Sequence, residues 1–354
     1  MRFPRTLSLL PLTVFPISSF LERSKVMSET QRFIGVVVGV VTAVLSLIPL
    51  HPIGSSVSAQ PNNNLCRIMP LGDSITFGIG SGNNDQTRGG YRLPLWKNLA
   101  TDDETKGVKV DFVGSERVGG ALGQNLTSKF DPDNAGFPGI TPPQLLILLK
   151  TGINPLSNQV VTTGRFLETH PADIILLHLG SNGISVDRAQ EWAYNVELIL
   201  TEIDTFAKEQ DKEITVILAQ IINVNCVKNT FPFCTASNPQ SVPNITKLNS
   251  LLEGIAMNRP SDEKIKIVIV DMEKEAKLNY DEPANTQVYG AETASEPHPT
   301  GDHFADTIHP NQSGYDKMAP VWLEALKKDN LLRNCNLVRD DSTPPAPPTN
   351  MIIN

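Results

Sequence analysis

Residues 68–80 read IMPLGDSITFGIG. An apolar run, Ile68 to Leu71, stops at Gly72. An acid, Asp73, and a hydroxyl, Ser74, follow, then Ile75, Thr76 and the glycines Gly78 and Gly80. Turns use Gly, Asp and Ser routinely. A parallel sheet that presents a nucleophile at the end of a buried strand uses the same residues. The remainder of the chain decides between the two.

Similar apolar runs recur at Arg67–Leu71, Val108–Val113, Asp173–Leu179, Ile214–Ile221 and Ile265–Val270. Several are rich in Ile, Val and Leu with little alternation, the pattern of strands buried on both faces. Helix-like segments lie between them: Tyr91–Ala100, Pro142–Lys150, Asp187–Glu209, Asn244–Asn258 and Gly314–Lys328. Alternating strands and helices predict an α/β fold, a flavodoxin-like three-layer α/β/α sandwich around a five-stranded, mainly parallel sheet. Such sheets bind ligands beyond the carboxyl ends of their strands. Two long loops, Ser115–Pro138 and Asn279–Ala305, are rich in polar residues, and loops of that length in compact domains are usually functional or mobile.

The first 59 residues differ from the rest. Phe33–Leu50 is an 18-residue stretch without a charge, Arg32 precedes it, and Val57-Ser58-Ala59 supplies small residues after it. This reads as a secretory signal removed after about Ala59, with Met27 an alternative start and residues 1–26 an extension. A retained anchor is the competing reading, because 18 apolar residues can just span a bilayer. The chain carries a formal charge of −8; residues 1–59 hold five basic and two acidic residues, so the remainder carries −11. Such a charge disfavours nucleic acid and anionic membrane as partners. The expected product is a secreted monomer of residues 60–335, followed by a disordered, Pro-rich tail, 336–354.

The four cysteines, Cys66, Cys226, Cys234 and Cys335, all follow the leader. They allow three pairings. Cys66–Cys335 with Cys226–Cys234 is preferred: the first ties the start of the first strand to the end of the last helix, the second closes a short loop. No C-x-x-C is present and no Cys lies near a His, so a metal site is not expected.

Four stretches fall where strand ends belong: Gly72-Asp73-Ser74; AGFPGIT, Ala135–Thr141; HLGSNG, His178–Gly183; and ADTIHPNQSGY, Ala305–Tyr315. Together they supply what acyl transfer needs: a nucleophile, a base, a group that orients the base, and donors for the oxyanion. Ser74 is the candidate nucleophile and His309 the candidate base. Asp306, three residues earlier, is the candidate orienting group. The backbone N–H groups of Ser74 and Gly139 and the side-chain amide of Asn182 are the candidate oxyanion donors. Each piece alone has a plain reading as a turn, a cap or a loop glycine; their order and placement carry the argument. Neither a G-x-S-x-G elbow nor a G-x-x-x-x-G-K-[ST] phosphate loop is present.

These stretches resemble the motif blocks of the SGNH (GDSL-like) hydrolase superfamily, over about Arg67 to Leu331. Ser74 matches the nucleophile of the first block, Gly139 the glycine of the second, Asn182 the asparagine of the third, and Asp306 and His309 the fifth. VDFVGS, Val110–Ser115, followed by FDPDNAGFPGIT is similar to carbohydrate esterase family 3, whose members are acetyl xylan esterases. The resemblance implies a Ser-His-Asp esterase without metal or organic cofactor, acting on a small-molecule or polysaccharide ester. Two positions depart from the pattern: Gly183 stands where the third block has Asp, and Asn134 where the second has an acid. A lysophospholipase, thioesterase or arylesterase of the same superfamily, and a non-catalytic secreted carbohydrate-binding protein, are the competing readings.

Other polar residues have simpler roles. His178 reads as a core residue of a strand, and Asp73 as a brace for the turn. His298 and His303 lie in a loop whose spacing matches no zinc pattern. Trp96, Trp192 and Trp322 sit at helical spacing and read as packing residues. Asn125 and Asn244 open glycosylation sequons.

Overall fold

A computed structural model describes residues 65–184, 188–224, 243–260, 263–280, 303–306 and 308–337. These lie within one compact unit, Pro61–Asn354. The leader reading, the pairing of Cys226 with Cys234, His298 and most of the tail fall outside the described residues.

The five expected strands form as β1 (Leu65–Gly72), β2 (Lys109–Phe112), β7 (Ile174–His178), β8 (Ile214–Ala219) and β9 (Ile265–Val270). They pair in parallel in the order β2-β1-β7-β8-β9. Among the described residues the sheet has seven strands rather than the expected five. The additional two, β3 (Glu116–Arg117) and β4 (Asp133–Gly136), come from the segment read as a loop. β2 pairs with Leu65–Ile68 of β1, and β4 takes over the same edge at Leu71 and Gly72. β4 reads Asp-Asn-Ala-Gly, residue types poor in strands. The open edge of β1, not local propensity, makes it a strand.

Each strand feeds both faces. Met69, Leu71, Ile175, Leu177, Val216 and Leu218 pack on one side against α3 (Pro142–Thr151), α4 (Phe166–Thr169), α5 (Ala189–Glu209) and α6 (Pro243–Met257). Ile68, Ile174, Leu176 and Ile217 pack on the other against α2 (Arg92–Thr101) and α8 (Gln312–Lys327). Burial of each such side chain stabilises by about 1.5–3 kcal/mol. Trp192 and Trp322 are buried in these two cores, while the half-buried Trp96 stacks edge-on to Phe112 and donates to the Ser128 carbonyl. The three-layer architecture is therefore as expected from the sequence.

Two short helices complete the described chain, α7 (Met272–Glu275) and α9 (Leu331–Leu337), together with α1 (Ser74–Phe77) and a small hairpin, β5 (Ile153–Asn154) with β6 (Gln159–Val160). The helix α9 begins where the last helix was expected to have ended, and carries Cys335, which is bonded to Cys66 at the start of β1. Asn125 is exposed but Asn244 is buried at the start of α6, so only the first sequon presents its side chain to solvent. No helix of the described residues is long and apolar enough to cross a membrane.

Candidate active site

Three strand ends lie in one row. Gly72 of β1 stands opposite Gly136 of β4 on one side and His178 of β7 on the other. From that row the chain reaches Ser74 in two residues, Gly139 in three and Asn182 in four. Gly72 is required there, since a Cβ would lie 2.1 Å from the His178 carbonyl oxygen.

Ser74 opens α1, which Asp73 caps by accepting the N–H of Ile75 at 3.0 Å. Ser74 is 3% exposed. The fourth stretch brings its partners across the site. The chain folds back between Phe304 and Pro310, and Asn311 caps α8 through the Gly314 N–H. The Tyr315 hydroxyl then donates to the Ile79 carbonyl at 2.7 Å, fixing this segment beside the loop that follows Ser74.

His309 Nε2 lies 2.9 Å from Ser74 Oγ, and His309 Nδ1 lies 2.7 Å from Asp306 Oδ2. An ionised carboxylate only accepts, so Nδ1 carries the ring proton and donates it to Asp306. In the neutral ring Nε2 is then the acceptor for the Ser74 hydroxyl. The other oxygen, Asp306 Oδ1, accepts the N–H groups of Ile308 at 2.8 Å and His309 at 2.7 Å. Burial pushes the Asp306 carboxyl up, but the bond from the His309 ring, its charge and the two N–H groups outweigh it and hold the carboxyl below its usual range. It is thus ionised at neutral pH and suited to steadying an imidazolium.

Gly139 is exposed with φ +83, a left-handed conformation natural to glycine. The backbone N–H groups of Ser74 and Gly139 have no acceptor among the described residues. Asn182 is half-buried, and its side-chain amide donates one hydrogen to the Ile140 carbonyl at 3.1 Å, leaving the other for a ligand. That bond ties the loop after β7 to the loop after β4. Trp192 supports it by donating to the Asn182 carbonyl at 2.9 Å. The departing Gly183 is exposed, with Trp192 and Thr141 beside it.

Asp73 and His178 behave as buried supports. Asp73 is fully buried; burial raises its carboxyl to about 6, against the pull of the Ile75 N–H and the charge of His309. His178 is fully buried and accepts the Ile222 N–H on Nε2 at 3.3 Å; burial lowers its ring to about 4, so it stays neutral. His303 is engaged too, its Nδ1 accepting the Asn279 N–H at 2.7 Å.

Two neighbours of the site carried no sequence signal. Arg92 reads as one cation at the start of an apolar helix, yet it is fully buried and stays protonated although burial lowers it to about 10. Leu156, at the turn of the β5–β6 hairpin, is 46% exposed, and its Cδ1 lies 3.6 Å from where a Cβ on Gly139 would sit. Two clefts of the described surface, of about 750 Å³ at the amino ends of β7, β8 and β9 and about 480 Å³ between α5 and α6, contain none of these groups.

No family model matches the chain. A "Multidomain esterase" of Ruminococcus flavefaciens is 27% identical over 316 residues, which is 85% of this chain and 33% of that protein. The chain thus spans about a third of the length of the curated relative it matches. Similar solved structures include a family 3 carbohydrate esterase of Clostridium thermocellum, 22% identical, covering 76% of this chain and 98% of that one with a TM-score of 0.45. A family 3 carbohydrate esterase of Talaromyces cellulolyticus is 18% identical, covers 76% and 99%, and has a TM-score of 0.48. A member of the lipolytic G-D-S-L family from Veillonella parvula is 16% identical, covers 74% and 99%, and has a TM-score of 0.40.

Proposed function

We propose that the protein is a secreted serine esterase that removes short acyl groups, acetyl foremost, from carbohydrate esters. The hydrogen-bonded chain Asp306–His309–Ser74 at the carboxyl ends of the parallel strands carries this reading. Ser74 Oγ attacks the ester carbonyl carbon while His309 Nε2 takes its proton. Asp306 balances the imidazolium. The N–H groups of Ser74 and Gly139 and the free hydrogen of the Asn182 amide receive the oxyanion, and removal of one such donor typically costs about 2.7–4 kcal/mol of barrier. The imidazolium then protonates the leaving alkoxide. Water, deprotonated by His309, attacks the acyl carbon; the bond from that carbon to Ser74 Oγ breaks, the imidazolium returns the proton to Oγ, and the carboxylic acid leaves. The scheme calls for no metal or organic cofactor.

The relative described as an esterase supports ester hydrolysis. The carbohydrate alcohol and the acetyl group rest on the motif resemblance. Export rests on the leader-like segment and on the Cys66–Cys335 bond, since disulfides persist in oxidising compartments.

The test is hydrolysis of p-nitrophenyl acetate, butyrate and octanoate by the protein beside Ser74→Ala. The expected result is activity on acetate that falls with chain length and disappears in the variant; acetylated xylan follows. Activity that survives in Ser74→Ala refutes the mechanism, and a folded protein inert to all three esters favours a binding role. A preference for octanoate would favour a lipid or thioester substrate. The exposed apolar residues Ile153, Leu156 and Val160 of the β5–β6 hairpin are the observation on that side.

A further inference from the structure

Arginine has five N–H donors. In Arg92 all five are used, and every acceptor is a backbone carbonyl. Nε donates to Thr76 at 3.0 Å, one terminal nitrogen to Val118 and Pro132 at 3.1 Å each, and the other to Phe77 at 3.0 Å and Arg88 at 3.1 Å. No carboxylate among the described residues forms an ion pair with it; Asp131 and Asp133 act only through space. A buried charge without a paired counter-charge is costly and needs all its hydrogen bonds satisfied.

The acceptors fall in three places. Thr76 and Phe77 are the last two residues of α1, the helix that Ser74 opens. A helix end leaves carbonyls without intrahelical partners, and Arg92 meets the last two of α1, whose first turn Asp73 caps. Pro132 directly precedes β4, the strand that leads to Gly139, and Val118 directly follows β3, its antiparallel partner. Arg88 anchors the guanidinium to its own loop. One rigid, planar group therefore bridges the nucleophile turn and the strand that aims the Gly139 N–H.

We propose that Arg92 is a positioning residue, whose guanidinium sets the separation of Ser74 from the Gly139 oxyanion donor by clamping α1 to the β3–β4 hairpin. This rests on the esterase reading for its catalytic consequence. Lysine offers three donors on a flexible stem, so Arg92→Lys keeps the charge and loses the clamp. Misplacement of reacting groups by about 1 Å can cost 100-fold.

The experiment begins with the unaltered protein and a p-nitrophenyl phosphonate that labels Ser74. If a folded, unaltered protein is not labelled, the esterase reading fails, and hydrogen exchange alone decides the clamp. If it is labelled, Arg92→Lys is compared with Leu332→Ala, which removes a buried side chain of α9 far from the site. The expected result is a fall in kcat and in labelling rate of about 30- to 100-fold in Arg92→Lys, with KM within about threefold. Leu332→Ala should lose stability and keep kcat. Guanidinium at millimolar concentration should restore part of the activity of Arg92→Ala. A folded Arg92→Lys whose kcat and labelling rate match the unaltered protein overturns the proposal. Where neither Arg92 variant folds, amide exchange in the unaltered protein decides: residues 74–79 and 132–137 should open together, and independent opening overturns the clamp.

Discussion

The buried carboxyl of Asp73 offers a test of the site's electrostatics that is separate from its chemistry. The residue is fully buried, one oxygen accepts the Ile75 N–H at 3.0 Å, and the other has no hydrogen bond of normal geometry among the described residues. Burial lifts it from 3.8 to about 6. The folded state therefore holds the proton more tightly than the unfolded chain. The stabilising contribution is fully present below pH 3.8 and is lost as pH rises through about 6. At about 1.4 kcal/mol per pH unit, the ionised carboxylate costs the folded state about 3 kcal/mol above pH 7. Asp73→Asn imitates the protonated form and can keep the cap on Ile75. Its stability, measured by urea unfolding, should match the parent at pH 4 and exceed it by about 2–3 kcal/mol at pH 8. Comparing the two proteins at each pH cancels the other carboxyl lifted to about 6, Asp131. A difference that is the same at both pH values, or a variant less stable at pH 8, refutes the reasoning. The Asp73 carboxylate feels His309 through space and so stabilises positive charge that develops on the ring in the transition state; kcat of the variant should fall by about threefold to tenfold at pH 8.

The remaining expectations concern the triad, the hairpin and the disulfide. Asp306→Asn should lower kcat by about 10³- to 10⁴-fold with little change in KM, because the ring loses its tautomer and its counter-charge; steady-state kinetics on p-nitrophenyl acetate check it. Because the Asp306 carboxyl is held below its usual range, the stability it contributes is present above pH 3.8 and lost as pH falls, so the acid limb of unfolding should flatten in this variant. Leu156→Ala should raise activity on butyrate relative to acetate by about 10-fold, since one methylene of clearance is worth about 1–3 kcal/mol; an unchanged ratio removes Leu156 from the acyl site. Cys335→Ser breaks a cross-link between positions 269 apart, worth about 5.6 kcal/mol on the chain-entropy model. Calorimetry should show a fall in Tm of about 10 °C, with kcat at 25 °C unchanged, because Cys66 and Gly72 sit at opposite ends of β1, about 20 Å apart.

What could be read from the chain divides along physical lines. Strands such as Ile174–His178 and Ile214–Ala219 are buried at every position and apolar at all but one each, His178 and Thr215, because both their faces are covered, so composition marks them. The grouping of Ser74, Asp306 and His309 could be anticipated because strand ends are where a parallel sheet gathers its loops, and the structure brings the three into one hydrogen-bonded chain; the acyl-transfer roles of these residues and of Gly139 and Asn182 belong to the proposal. β4 was not legible. Asp133–Gly136 has residue types poor in strands and becomes a strand where β2 leaves the last four residues of β1 unpaired, taking up Leu71 and Gly72. Arg92 was hidden for a related reason: nothing local distinguishes a cation that faces water from one whose five donors meet carbonyls 4 to 40 residues away. Of the three cysteine pairings, Cys66–Cys335 was favoured by where elements begin and end, and the bond at the amino end of β1 agrees with that geometry.

The same division separates what must stay fixed in this site from what can vary. The row Gly136–Gly72–His178 sets the height of three loops above the sheet through backbone pairing. Their lateral spacing is set by side chains that touch backbone: Asn182 on Ile140, Tyr315 on Ile79, and Arg92 on Thr76, Phe77 and Pro132. Backbone carbonyls are present whatever the local sequence, so these braces hold even if neighbouring side chains change. Among the described residues Leu156 is tied only within its own hairpin, its N–H donating to Asn154 Oδ1 at 3.0 Å and the strands pairing at Ile153 with Val160, and it is partly exposed beside Gly139. Substitutions that retune the ester accepted should therefore be tolerated on the hairpin. Substitutions at the braces should lower kcat for every ester alike, since they move the nucleophile and the oxyanion donors rather than the walls around the acyl group.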